Sequence, residues 1–234
     1  MQPNSEITKN LEKMQLPNRL KIIGDFIFDN SSVADVGADH GLLEEYVSSK
    51  LTNCHILAIE NKAGPYKILV SKTSKLNNVE TSLSDGLNKV KNNTDIVVLA
   101  GMGGNNIVSI LAKNKDKVPT FKRIIIDAHR DIGLARKAII SYGYEIVKEQ
   151  LVYEEEKFYI ISVFDKTNKQ IDYKDEQIEI GYELEKDKLW PKYKEHLINQ
   201  AENAIKNLEN SRNRQDKVLE FKRTIERIEN YGKN

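Results

Sequence analysis

The chain has 234 residues but a single cysteine, Cys54, a single tryptophan and five prolines. One thiol excludes an intrachain disulfide framework and any metal cage built from several cysteines of the chain. No run of 18 or more apolar residues occurs, so no segment reads as membrane-spanning. Residues 1–15 contain no apolar signal-peptide core. The expectation is a cytoplasmic protein with no membrane partner. His55, His129 and His196 show no ligand spacing, and no metal is expected. A charge excess of either sign is also lacking, since 36 Lys and Arg face 35 Asp and Glu for a net charge of +1. That balance excludes a uniformly basic nucleic-acid binder, while leaving room for local patches.

The length allows one substantial domain plus an appendage. Charged residues number 43 in residues 1–166 and 28 in the 68 residues that follow. The division is therefore residues 1–166, able to build a core, and residues 167–234, a helical segment with little interior of its own. Two basic stretches stand out. Lys113–Arg123 holds five basic residues and one acid, and Lys62–Asn78 holds four lysines and no acid. Each reads equally as solvated surface or as a binding patch.

Short apolar runs alternate with helical stretches through the first part. Strands are expected at Val33–Val36, His55–Ile59, Val79–Leu83, Asp95–Ala100 and Arg123–Ile126. Helices are expected at about Leu16–Phe28, Leu42–Leu51, Tyr66–Leu76, Asn106–Lys113 and Ile132–Ser141. This alternation predicts an α/β fold with a mostly parallel sheet covered on both faces. Two further strands, Glu145–Tyr153 and Phe158–Phe164, have no helix between them and predict an antiparallel edge hairpin. Ligands of such sheets bind beyond the carboxyl ends of the strands.

The strand ends carry the chemistry. Asp35-Val36-Gly37-Ala38-Asp39-His40-Gly41 follows the first strand. It is no dinucleotide fingerprint, because Asp39 occupies the position where a second glycine would meet a pyrophosphate. Asp35 and Asp39 suit a cationic, phosphate-free ligand, and S-adenosylmethionine fits that description better than NAD does. Asp39 could equally cap the next helix. Glu60, with Asn61 beside it, ends the second strand where an acid can accept ribose hydroxyls. Asp85 and Gly86 follow the third, where Asp85 serves either an adenine amino group or an Asx-turn. Ala100-Gly101-Met102-Gly103-Gly104 follows the fourth. Three glycines in four positions exceed what a turn needs, so a close backbone approach is expected there. Asn105 and Asn106 read as helix caps or substrate contacts.

This ordered set, D-V-G-A-D-H-G, A-I-E-N, G-P, S-D-G-L and A-G-M-G-G, resembles the bacterial tRNA (adenine-22)-N1-methyltransferase family. Arg19-Leu20, the Glu149…Tyr159 hairpin and Ile180-Gly181-Tyr182-Glu183-Leu184 are similar too, so the resemblance covers about residues 17–208. It implies a Rossmann-like class I methyltransferase with a seven-stranded sheet and a C-terminal α-helical coiled coil. It implies S-adenosylmethionine as cofactor and N1 of adenine 22 in the tRNA D-arm as acceptor. Asp35, Gly37, Asp39 and His40 would form the donor loop, Glu60 and Asn61 the ribose end, and Asp85 and Gly86 the adenine end. Gly101, Met102, Gly103 and Gly104 would line the catalytic mouth, with Ala100 among the cofactor contacts. Relatives carry Gln-Pro-Asn after the fifth strand, whereas this chain reads Asp127-Ala128-His129-Arg130. Any substrate role borrowed for that loop is therefore open.

Adenine N1 has an in-plane lone pair, so the enzyme's part is alignment and a stabilising field. Asp39 is the first candidate for a carboxylate beside the reacting ring and Asp35 the second, with Gly101 and Met102 at the mouth. Arg19, Gly104, Arg130, Lys113, Lys117 and Arg123 are the candidate tRNA contacts, together with Arg212 and Arg214 of the arm. The arm reads as two amphipathic helices, Asp187–Leu208 and Gln215–Ile228, joined by a polar connection and able to form an antiparallel hairpin. It would either grip tRNA phosphates or serve as a solvated or dimerising coiled coil, giving a monomer or a weak dimer. Alternatives to the tRNA activity are a methyltransferase acting on another RNA, a small molecule or a protein, and a non-catalytic interaction module.

Overall fold

The computed structural model describes residues 16–209 and 214–233. A seven-stranded sheet runs through it, in the order β3-β2-β1-β4-β5-β7-β6. The strands are β1 (Ser32–Val36), β2 (His55–Glu60), β3 (Val79–Leu83), β4 (Ile96–Met102), β5 (Arg123–Ala128), β6 (Tyr144–Glu154) and β7 (Lys157–Lys166). The first five pair in parallel, while β7 runs antiparallel to both β5 and β6. The parallel core with an antiparallel edge hairpin is thus as the sequence predicts. Ile96–Leu99 and Ile124–Ile126 are wholly buried, the continuous apolar pattern of strands covered on both faces.

The helices divide between the two faces. Helix α1 (Asn18–Asp25) and α2 (Leu42–Lys50) place Ile23, Leu43 and Val47 on one face, and α3 (Ala63–Thr73) adds Leu69 against Ala38 and Ala58. On the other face α4 (Gly104–Lys113) and α5 (Ile132–Ser141) contribute Ile107, Leu111, Ala135 and Ile139. Helix α1 stops three residues short of the expected Phe28, where the N–H groups of Phe26 and Ile27 turn onto the carbonyls of Ile23 and Gly24. Helix α3 begins earlier than expected because Pro65 sits in its first turn, where a missing N–H costs no helical bond.

Beyond β7 the chain forms a short helix α6 (Asp175–Glu179), then α7 (Trp190–Glu209) and α8 (Gln215–Asn230). The two long helices are antiparallel: the Trp190 ring lies 4.8 Å from Tyr231, and Lys194 Nζ donates to the Glu229 carbonyl at 3.0 Å. Their root is apolar, with Ile180, Leu184, Trp190 and Ile228 clustered on Leu151 and Ile160 of the hairpin. A buried ion pair fixes this joint. Arg136 of α5 reaches Glu149 of β6 through Nε at 2.8 Å and Nη2 at 3.0 Å, and Nη1 donates to the Ile178 carbonyl at 2.8 Å. Glu149 also accepts the Tyr182 N–H at 2.6 Å and the Ser162 hydroxyl.

Candidate active site

A cavity of about 650 Å³ lies beyond the carboxyl ends of β1, β2, β3 and β4. Strand order reverses between β1 and β4, and chains leaving these two strands pass to opposite faces, which opens a crevice there. The walls are the predicted strand-end residues Asp35, Gly37, Asp39, His40, Glu60, Asn61, Asp85, Gly86, Ala100, Gly101 and Met102. Gly103 lies beside the mouth rather than in the wall, with the Arg130 side chain across it: a Cβ there would lie 3.3 Å from Arg130 Nε. Gly101 takes φ +72° at a β-bulge between Ala100 and Met102, a conformation open to glycine.

The donor loop is held tightly from behind. The N–H groups of Gly37 and Ala38 both donate to the Ile59 carbonyl, at 2.8 and 3.0 Å, and the N–H of Gly41 donates to Ala38. Asp39 has φ +49°, and its side chain is 63% exposed and makes no cap to α2. The capping alternative is therefore not realised. His40 Nδ1 stands 3.5 Å from Asp39 Oδ1, outside hydrogen-bonding geometry. Glu60 is buried, and Oε1 receives the N–H groups of Asn61 and Lys62 at 2.9 and 2.8 Å. Asp85 Oδ2 lies 3.6 Å from Lys113 Nζ, which brings that lysine to the rim.

Asp35 is buried at the end of β1, and desolvation pushes its carboxyl up to about 6, against the hydrogen bond of Glu44. Opposite the donor loop, Arg19 Nη1 meets Asp127 Oδ2 at 2.8 Å, and its guanidinium covers the Tyr159 ring at 5.4 Å. His129 packs edge-on against the same ring at 5.4 Å, with Nε2 3.7 Å from Asp127 Oδ2. Arg19 and His129 line the cavity, while Asp127 is buried behind them. Of the departure at Asp127-Ala128-His129, His129 thus lies in the cavity wall and Asp127 fixes Arg19 from behind it.

Several expected contacts are not brought to the mouth. Gly104 is buried in the first turn of α4, where a Cβ would come 2.1 Å from the Asp131 carbonyl oxygen. Its role is this close approach, not substrate contact. Asn105 and Asn106 cap nothing: Asn105 donates to Asp131 Oδ2 at 2.8 Å, whereas Asn106 does reach the cavity wall, its Nδ2 3.6 Å from the Met102 sulfur. Arg123 opens β5 at the amino end of the parallel strands, away from the cavity, fork-bonded to Asp165 at 2.6 and 2.8 Å. Lys117 donates to the carbonyls of Leu87 and Asn88, at 2.9 and 3.1 Å. The basic stretch is therefore largely committed within the fold. Arg214 is exposed at the start of α8, and Arg212 lies outside the described residues.

Sequence reasoning missed Glu44, Tyr159 and the role of Asp127. Glu44 had a signal, since it stands three residues before Val47 on the buried stripe of α2. Among the described residues no group of three or more His, Cys, Asp or Glu is placed to hold a metal ion, and no helix is long and apolar enough to cross a membrane.

A reversed strand order, a glycine-bulged β4 and acids at three neighbouring strand ends fit the Rossmann-like methyltransferase fold. The comparisons agree. The chain belongs to the methyltransferase domain family, whose model matches residues 16–162. It is 27% identical to the tRNA (adenine(22)-N(1))-methyltransferase of Bacillus subtilis (strain 168) over 157 residues, which is 65% of this chain and 66%, just under two thirds, of the relative. The solved structure of M. capricolum TrmK with the cofactor product S-adenosyl-homocysteine superposes with a TM-score of 0.80 at 25% identity, covering 93% of this chain and 98% of that one. A Listeria monocytogenes serotype 4b protein superposes at 0.85 with 24% identity, covering 92% and 99%.

Proposed function

We propose that this chain is a cytoplasmic tRNA methyltransferase that moves the methyl group of S-adenosylmethionine to N1 of adenine 22 in the tRNA D-arm. The observation that carries this reading is the set of carboxylates gathered around one crevice, Asp35, Asp39, Glu60 and Asp85. These acids suit a ligand with a sulfonium, an ammonium, a ribose and an adenine. The B. subtilis relative's name and the S-adenosyl-homocysteine bound to the M. capricolum protein support the acceptor and the donor.

When bound, S-adenosylmethionine supplies an electrophilic methyl carbon. The adenine N1 lone pair forms the new N–C bond as the C–S bond breaks, its electron pair goes to sulfur, and the base gains a positive charge. Asp39, exposed at the mouth, stabilises that charge. Glu60 accepts ribose hydroxyls, and Asp85 accepts the donor's amino group. Arg19, fixed by Asp127, and Arg130, lying over Gly103, hold the acceptor nucleotide. Residues 167–234 act as a second unit, in which Arg214, Lys217, Lys222 and Arg223, all exposed, grip phosphates without reading sequence. Such grip weakens steeply with salt.

The test uses transcripts of one bacterial tRNA carrying adenine or guanine at position 22, incubated with labelled donor. Label enters the adenine transcript alone. Equal labelling of both would move the acceptor elsewhere, and labelling of neither would remove the tRNA assignment.

A further inference from the structure

Glu44 lies on the inward face of α2, wholly buried between Leu43 and Val47. Neither of its carboxyl oxygens meets a hydrogen-bond donor among the described residues. Its polar neighbour is Asp35, itself buried at the end of β1 and part of the cavity wall. An ionised Glu44 beside an ionised Asp35 would have neither a donor nor a counter-ion, an arrangement that costs several kcal/mol. One proton between them removes the deficit, because an acid at Glu44 can donate to Asp35.

We propose that Glu44 is a positioning residue that works as a neutral acid, its proton fixing the Asp35 carboxylate at the cavity wall to face the cationic end of S-adenosylmethionine. This rests on the donor assignment made above. Burial, and then the charge of Asp35, hold Glu44 well above the usual carboxylate range. Asp35 is pushed up to about 6 by burial, and the hydrogen bond from Glu44 pulls the other way. Asp35 of β1 and Glu45 of the same helix are the charges that act on Glu44. On α1, packed against that helix, Asp25 is turned to Tyr46 and Lys50.

The consequence is discrimination between donor and product. The two share an ammonium and a carboxylate, but only S-adenosylmethionine carries the sulfonium charge. A carboxylate at Asp35 therefore favours the donor, and its protonation removes that preference. The sign follows directly: below about pH 6 Asp35 gains a proton, and donor affinity falls.

Calorimetric titration of the full chain with each ligand, from pH 5.5 to 7.0, tests this below the range where an α-amino group titrates. The wild type should lose donor affinity on acidification, approaching about tenfold per pH unit, the limit for one linked proton, with a smaller loss for S-adenosyl-homocysteine. Glu44→Gln keeps a donor beside Asp35 and should stay within about threefold of the wild type. Glu44→Leu removes it and should weaken the donor about tenfold at pH 7, the product less, in line with losing a hydrogen bond to a charged group. Equal losses for both ligands in Glu44→Leu, or equal damage from Gln and Leu, would overturn the proposal by showing a packing role only. The ¹³C signal of the Glu44 carboxyl in the wild type gives a check that needs no variant: an acid at pH 7 supports the proposal, a carboxylate overturns it. Failure of the wild type to bind either ligand would overturn the donor assignment itself, and this proposal with it.

Discussion

Replacing Arg136 by leucine should lower the stability of the protein by about 3–5 kcal/mol, the range for breaking a buried ion pair by removing one partner. Arg136 and Glu149 are both fully enclosed, so the change strands a carboxylate in the interior. It also removes the donor to the Ile178 carbonyl, which anchors the segment leading to the C-terminal arm. The tryptophan is unique in the chain and lies at the arm's root, so its emission reports docking. Urea unfolding followed by Trp190 fluorescence should show both the lost stability and a red-shifted native baseline. The Arg136→Leu, Glu149→Leu double variant should recover part of the loss, since no charge is left unpaired. A single variant within about 1 kcal/mol of the wild type, the worth of an exposed pair, would contradict a structural role for this joint.

Asp39→Asn should lower kcat by about 10²–10³-fold, the scale for removing one preorganised group from a developing charge. The substitution removes the charge and little else. Asparagine tolerates the left-handed backbone, and Asp39 sits at φ +49°. Its exposure means that water screens it in the free protein, so its effect emerges once a bound base excludes solvent. Stopped-time methyl transfer at saturating donor and tRNA measures the effect. A fall confined to the KM for the donor would assign Asp39 to donor binding instead, and full turnover would remove it from the reacting centre.

The sheet was legible because β4 and β5 are continuous apolar runs that burial explains, and because the β1–β2–β3 and β4–β5 alternations leave little choice of topology. Much of the cavity wall followed from the same logic, since strand ends in such a sheet converge, and Asp35, Asp39, Glu60 and Asp85 do meet there. What the sequence concealed depends on partners far along the chain. Arg136 meets a carbonyl 42 residues away, and Arg19 meets Asp127 across 108 residues. Local pattern cannot choose such partners. The basic stretch ending at Arg123 misled for the same reason: counted by sequence it is a patch, but Asp165, Asp95 and two backbone carbonyls take up Arg123, Lys122 and Lys117. Helix α6 was missed because Asp175–Glu179 offers a single buried apolar residue, Ile178.

The identity of the methylated nucleoside decides whether this protein is a tRNA adenine-22 N1-methyltransferase. Purified protein, labelled S-adenosylmethionine and unmodified bacterial tRNA are incubated, and the labelled position is mapped by nuclease digestion and mass analysis. The expected product is 1-methyladenosine at position 22 of the D-arm. A methyl group at another atom or another position, or label that appears without any RNA present, would contradict it.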